Sequence, residues 1–350
     1  MVHNAIVSGS LDSAPNELDA GVQHRVLEVA VVIVTYKSAR LTIENLRSLQ
    51  ADLAIPWLRV RAIVVDNASG DLPEITQAIE ENGWSWATAV AAPKNGGFGY
   101  GNNLGIERAF ALGNPSYLYL LNPDTQVRPG AIASLVRFLE GNPEVGIAGS
   151  SFEGEDGGDW PIAFRFPSML GEIDQGLNFG FVSNLLRRWA TVRRMSKENE
   201  PVDWISGASM MIRPGVFKAL GGMDENYFLY FEETDFCTRA RRAGFSTWYV
   251  PESRVMHIGG QSTSVAPGSS ARLPSYWFES RRRYFAVTYG VVRAMMIDVV
   301  AVLAHSLGLA KKIVQGRREA IVPHFISDLL RHSILWKRNR NIPAIRSRFT

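Results

Sequence analysis

The chain has 350 residues, 46% of them hydrophobic and 20% charged, values that exclude wholesale disorder. Its single cysteine, Cys237, excludes an intramolecular disulfide and any multi-cysteine zinc or iron–sulfur site, and points to a reducing compartment. The first 25 residues lack the apolar stretch of a secretory signal, no uninterrupted apolar run of about 18 residues occurs, and the net charge of +3 divides into +11 over residues 281–350 and −8 over the rest.

Residues 1–27 read as a loose leader. Residues 30–35 (AVVIVT) form a β-branched apolar run, the pattern of a strand buried on both faces. Ser38 suits the cap of a helix whose apolar positions Leu41, Leu46, Leu49 and Leu53 recur at helical spacing. A second strand is predicted over 60–65 and a helix over 72–81. A short strand at 88–91 precedes the Gly-rich stretch, and a helix is predicted over 101–112. Further strands fall at 117–121 (YLYLL) and 145–148, with Pro129 opening the helix between them. Residues 152–203 break this alternation with an acidic Gly-rich loop and a mixed aromatic and basic stretch, and read as an insertion over a site. Regularity returns at 205–212, and after about residue 262 the pattern is loop and then helix.

Alternating strands and helices predict an α/β domain with a mostly parallel sheet and helices on both faces. Ligands in such sheets bind beyond the carboxyl ends of the strands. Thr35-Tyr36, Asp66-Asn67 and Asn122-Pro123-Asp124 each follow a strand directly. Any one of them is also an ordinary turn sequence. The segment 95–103 (NGGFGYGNN) opens a helix, where backbone amides can meet phosphate, but Leu104 stands where a dinucleotide fingerprint needs glycine. One carboxylate at Asp124 suffices for a hard divalent cation when the substrate supplies phosphate oxygens. Glu232, Glu233 and Asp235 open a helix that Arg239, Arg241 and Arg242 close, an order that suits the helix dipole and also places carboxylates where a general base could act. His257 precedes a polar loop containing Gln261.

Taken in order, seven segments resemble the inverting glycosyltransferases of family 2, which have the GT-A nucleotide-sugar-binding fold. They are VVIVTYKS (31–38), VVDNASGD (64–71), NGGFGYGNN (95–103), LLNPDTQV (120–127), SGASMMIRP (206–214), FLYFEETDFCTRARRAGF (228–245) and MHIGGQST (256–263). With SYWFESRRRYF (275–285), the flavour is that of the rhamnosyltransferase-like branch, which builds bacterial cell-surface polysaccharides. The resemblance implies a GT-A domain over 28–262, with the 152–203 insertion near the acceptor site and a basic helical extension over 263–350. It implies that Thr35, Tyr36, Asp66, Asn67, Asn95, Gly97, Asn103 and Asn122 contact the nucleotide sugar, with Asp66 accepting from the base ring. It makes Asp124 and His257 ligands of Mg²⁺ or Mn²⁺, and Glu233 the base. Trp204, Glu232, Asp235 and Gln261 are placed toward the acceptor. Two departures stand out: Asn122 replaces the first aspartate of a D-x-D-like motif, and Glu233 stands where Asp is more usual.

The implied reaction moves a sugar, L-rhamnose from dTDP-rhamnose in the first instance, onto a hydroxyl of a lipid-linked or polysaccharide acceptor. The base of the nucleotide, thymine or uracil, stays open. The same fold without turnover, a nucleotide-sugar-binding scaffold, is the alternative. The basic tail suits an anionic membrane at the cytoplasmic inner face, a homodimer contact or a solvated helix surface. No nucleic-acid-binding motif occurs, and nucleic acid is not an expected partner.

Overall fold

The computed structural model describes residues 25–154, 158–258, 271–316, 321–336 and 339–349. Strands β1 (Leu27–Thr35), β2 (Leu58–Asp66), β3 (Ala87–Ala91) and β4 (Tyr117–Leu121) lie parallel in the order 3-2-1-4. Helices α1 (Ala39–Ser48), α2 (Leu72–Glu81) and α3 (Phe98–Leu112) follow β1, β2 and β3 in turn, and α4 (Ala131–Gly141) comes after β4. Both faces of β1 are buried, which is why its sequence is apolar throughout. Val29, Val31 and Ile33 meet Leu46, Ile75 and Leu135 from α1, α2 and α4, whereas Ala30 and Val32 meet Ile106 and Ala109 of α3. Each such fully buried aliphatic side chain contributes ~1.5–3 kcal/mol.

The second half of the sheet is mixed. The order continues from β4 through β7 (Ser209–Ile212), β6 (Val145–Glu153) and β8 (Ser246–His257) to β5 (Thr125–Val127). Strand β7 is antiparallel to both neighbours, β6 and β8 run parallel, and β5 pairs antiparallel with the end of β8. The predicted α/β sheet with helices on both faces is therefore observed, parallel over β1–β4 and mixed beyond. The strand β5, three residues long, lies outside the sequence expectation.

Residues 152–203 are stitched into the body rather than laid over it. Asp159–Trp160 pairs with β6, Glu200–Val202 with β8, and Ala163–Phe164 with Trp204–Ile205. Two helices complete the segment, α5 (Met169–Leu177) and α6 (Gly180–Leu185). After α7 (Glu232–Arg242) and β8, the chain ends in α8 (Ser275–Tyr289), α9 (Val291–Val314) and α10 (Phe325–His332). Helix α5 crosses α9 so closely that a Cβ at Gly308 would collide with the Gly176 carbonyl.

The basic tail is less solvated than its composition suggests. Arg281 is only 2% exposed and pairs with Glu172 of α5 at 2.7 Å and Asp298 of α9 at 2.6 Å. The second oxygen of Asp298 accepts from the Ile334 amide at 2.8 Å. Buried Arg283 donates through Nε to buried Asp224 at 2.8 Å. The final described residues return to the main domain, where the Glu225 amide donates to the Arg346 carbonyl at 2.7 Å and Arg348 pairs with Glu107 and Glu225. Arg281, Arg283 and Arg348 thus tie the tail to the body.

Candidate active site

Three turns meet at the carboxyl ends of the parallel strands. Strand β1 ends at Thr35, opposite Asp66 at the end of β2, and β4 ends just before Asn122. Beyond them lies the Gly-rich entry to α3. Asn67 ties the β2 turn to that entry, its side-chain amide donating to Asn95 Oδ1 at 3.0 Å and to the Gly97 carbonyl at 3.2 Å. Asn95 Oδ1 also accepts from the Gly97 amide at 3.1 Å. Gly97 has φ +89°, and a Cβ there would collide with the Phe228 carbonyl, which accepts from the Phe98 amide at 3.0 Å. Only glycine fits both demands. The Gly-rich segment is thereby fixed against the loop that leads into α7.

Asp124 is buried at the other side of this cleft. The β5–β8 pairing sets Thr125 opposite His257, and the Ile258 amide donates to the Asp124 carbonyl at 3.1 Å. That backbone arrangement brings His257 Nε2 to 3.4 Å from Asp124 Oδ1. The Oδ1 atom is buried without a hydrogen-bond donor in suitable geometry. The imidazole is held between Phe152 and Trp160, at ring separations of 5.0 and 5.2 Å. Asn45 of α1 supports the turn, donating to the Asn122 carbonyl and to the carbonyl and hydroxyl of Thr125.

The turn 206–209 connects the two sides. The Asn122 amide donates to the Ala208 carbonyl at 3.1 Å, while the neighbouring Gly207 amide faces the Glu233 carboxylate. Glu233 lies in the first turn of α7 and keeps partial solvent access, yet the dense surroundings raise its pKa to about 7. Beside it, Glu232 is buried and pushed further up by desolvation and by the charge of Glu233. Each carboxylate has one oxygen, Oε2, with no hydrogen-bond partner. Asp235 is raised by burial against the opposing influence of Arg239, with which it pairs at 2.8 Å, so it braces the helix.

The residues that lead into Glu232 are strained. Tyr230 and Phe231 both hold left-handed backbone, with φ +68° and +69°, a conformation that bulky side chains rarely adopt. Helix α8 secures them. Tyr276 stacks on Tyr230 at 6.1 Å, Trp277 and Tyr284 pack on Phe231, and the Ser280 hydroxyl donates to the Leu229 carbonyl at 3.0 Å. Strain of this kind, held by an outside element, is concentrated at functional sites.

Several residues expected to touch the donor, and Trp204 on the acceptor side, are turned into the protein. Thr35 is buried, and its hydroxyl bonds Ser38 and Asp71 at 3.0 and 3.1 Å. Both Asp66 oxygens are occupied by its own loop, accepting from the Ser69 amide and hydroxyl and from the amides of Gly70 and Leu72. Asn103 is fully buried and clamps residues 223–225, donating to the Met223 carbonyl and Glu225 and accepting from the Met223 amide. Trp204 stacks on Phe164 at 4.3 Å and donates to the Arg165 carbonyl, so that ring face is taken. Tyr36, Asn95 and Asn122 stay partly accessible. Gln261 lies outside the described residues. Asn45 was missed in the sequence, where nothing distinguishes it from an ordinary helix position, and the α8 residues entered only through the resemblance of 275–285, without a role at the site.

No group of three or more metal-binding side chains occurs among the described residues. A divalent ion held by Asp124 and His257 would need further oxygen ligands from substrate phosphates and water, the usual habit of Mg²⁺. The buried, undonated Oδ1 of Asp124 fits that role.

Comparison with known proteins agrees with this fold. The sequence is 30% identical over 254 residues to an N-acetylglucosaminyl-diphospho-decaprenol L-rhamnosyltransferase of Mycobacterium tuberculosis (strain ATCC 25618 / H37Rv), an alignment covering 68% of this chain and 78% of that one. The fold resembles a mannosyltransferase, PcManGT of Pyrobaculum calidifontis, solved with GDP-Man and Mn²⁺, with a TM-score of 0.51 at 15% identity over 95% of this chain and 86% of the other. It also resembles GalNAc-T7 solved with UDP, GalNAc and Mn²⁺, with a TM-score of 0.53 at 14% identity. That likeness covers 87% of this chain and only 57% of the GalNAc-T7 chain. Residues 24–290 match the family described as "Glycosyltransferase like family 2", a stretch that takes in the whole cleft and helix α8. The chain belongs to the family 2 glycosyltransferases and is of the rhamnosyltransferase-like kind.

Proposed function

We propose that the protein transfers L-rhamnose from dTDP-rhamnose to a hydroxyl group of a lipid-linked sugar acceptor, with inversion, in cell-surface glycan synthesis at the cytoplasmic leaflet. The observation that carries the reading is Glu233: a carboxylate at a strained helix entry, with one oxygen unpartnered and a pKa of about 7, separated from Asp124 by one turn. A carboxylate of ordinary acidity is a feeble base, and one poised near 7 is matched to deprotonating a hydroxyl at neutral pH. The donor and acceptor classes are supported by the name of the mycobacterial relative.

The acceptor hydroxyl donates its proton to Glu233 as its oxygen attacks the anomeric carbon. The bond from that carbon to the diphosphate oxygen breaks on the opposite side, and the electron pair leaves with the nucleoside diphosphate. Burial and the neighbouring Glu233 charge both push Glu232 upward, which disfavours a second negative charge beside the base. Tyr36, Asn95 and Asn122 are the accessible polar groups that face the donor. Asp124 and His257 would hold Mg²⁺ or Mn²⁺, which supplies charge neutralisation to the departing diphosphate when bound. Asp235 and Arg239 hold the helix that aims the base.

Two measurements test this reading. Thermal stabilisation is compared for dTDP, UDP and GDP with and without Mn²⁺, and the largest shift is expected with dTDP and the metal. The anomeric configuration of the product is read by NMR, and retention of the donor's configuration would overturn the single-displacement mechanism.

A further inference from the structure

Exposed large apolar side chains are concentrated in two segments far apart in sequence. Most of them lie between residues 179 and 192, on and after α6, and along α9. On α9, Val292, Met296, Val299, Leu303, Leu307 and Val314 are exposed, and at 100° per residue they fall on one narrow stripe. The opposite face of the same helix is also apolar, and it is buried through Ala294, Ile297, Ala301, Ala304 and Gly308. A helix that is apolar all round belongs in a protein core or in contact with lipid. Here only one side is provided for by the protein.

The two segments form one surface. Lys311 near the end of α9 donates to the Asn178 carbonyl, and its ammonium stands 4.6 Å from the Phe179 ring. Phe181 and Leu185 of α6 are 77% and 69% exposed, comparable to Leu303 and Leu307 at 60% and 63%. The exposed charge within the two segments has one sign. Residues 178–194 contain no acid, and the single acid of residues 291–316 is Asp298, buried in its pair with Arg281. Arg187, Arg188 and Arg293 are exposed.

We infer that this composite face, α6 with the outer stripe of α9, is a docking surface for an anionic lipid bilayer. It extends the lipid-linked acceptor reading by naming where the chain meets the membrane, and it enlists part of the 152–203 segment as well as the tail. Helix α9 is long and apolar enough to cross a membrane by length and composition. Its inner face, however, is packed on α5 and carries the buried Arg281–Glu172–Asp298 ion pairs, so it lies in the interface plane with its outer stripe among the acyl chains. The arginines complement anionic headgroups, which an apolar protein partner would not require.

The test is flotation of the full chain with vesicles of phosphatidylcholine alone and of phosphatidylcholine and phosphatidylglycerol at a ratio of about 3:1. The wild type floats with the anionic vesicles. The pairs Leu303→Glu/Leu307→Glu and Phe181→Glu/Leu185→Glu each lower partition at least ~10-fold. Arg187→Ala/Arg188→Ala lowers it roughly 10-fold with anionic vesicles and little with neutral ones. All six positions are exposed, and unchanged melting curves verify that the variants fold. A wild type that stays unbound to both vesicles overturns the inference, as do Glu variants that float like the wild type. A soluble dimer that the Glu pairs dissociate, with no flotation, assigns the face to a second copy instead. Nucleotide-dependent thermal stabilisation is measured on the same samples. Its absence from the wild type would count against the donor reading and leave the surface standing.

Discussion

Replacing Glu233 with Gln preserves the shape of the side chain and removes its titration. Burial holds this carboxyl at about 7 instead of 4.5. Between those values the native protein binds a proton that the unfolded chain has lost, so stability falls as the pH rises through that window, and the deficit is complete above about 7. The gap from 4.5 to about 7 corresponds to ~3 kcal/mol for full burial. Solvent reaches part of the side chain, which reduces the expected value to ~1–2 kcal/mol. Glu233→Gln is therefore more stable than the wild type by that amount at pH 8.5, and the gain shrinks toward zero as the pH is lowered to 4.5. Urea unfolding followed by tryptophan fluorescence at several pH values measures it. In the same variant turnover falls at least ~100-fold while nucleotide binding persists, and wild-type turnover rises with pH through about 7. A stability gain that does not vary with pH, or turnover near the wild-type level, would refute the reasoning.

Other substitutions separate support from chemistry. Asp124→Asn weakens Mn²⁺-dependent stabilisation by dTDP at least ~10-fold in thermal-shift titrations, and its own melting temperature changes little, because the Oδ1 atom has no donor to lose. Asn103→Ala strips partners from the Met223 backbone and Glu225, and lowers stability in urea by ~2–3 kcal/mol. Arg281→Met leaves Glu172 and Asp298 buried without their cation and costs ~3–5 kcal/mol. Replacing all three partners with apolar residues recovers most of that loss in the same assay.

The parallel half of the sheet was legible because its strands are buried on both faces. That environment demands uninterrupted β-branched runs, as in 30–35 and 60–65, and the polar residue that ends each run marks where the strand leaves the core. The mixed half was legible only in part, through the strand at 145–148 and the regular stretch at 205–212. β5 is three residues long and pairs with a strand more than a hundred positions later, and β7 enters antiparallel after a long excursion. The first leaves no periodic trace, and the direction of the second is not written in its pattern. Within the cleft, residue type alone did not separate ligands from supports. Asp66, Thr35 and Asn103 have the chemistry of donor contacts, yet the same oxygens and amides brace turns, and only the structure reveals which atoms remain unclaimed. The tail's charge was legible only in sum, since Arg281 and Arg283 meet buried acids supplied by segments far off in sequence.

The adjacent left-handed residues Tyr230 and Phe231 have an evolutionary consequence. Each disfavours the native backbone by ~1–2 kcal/mol relative to a residue without a Cβ. Glycine at either place would relieve that cost but forfeit the ring that α8 grips, and would slacken the aim of the acids that follow. The strain is therefore kept in place by packing, and drift toward glycine is opposed by stability as well as by turnover. Selection for product formation should hold both aromatic rings in place.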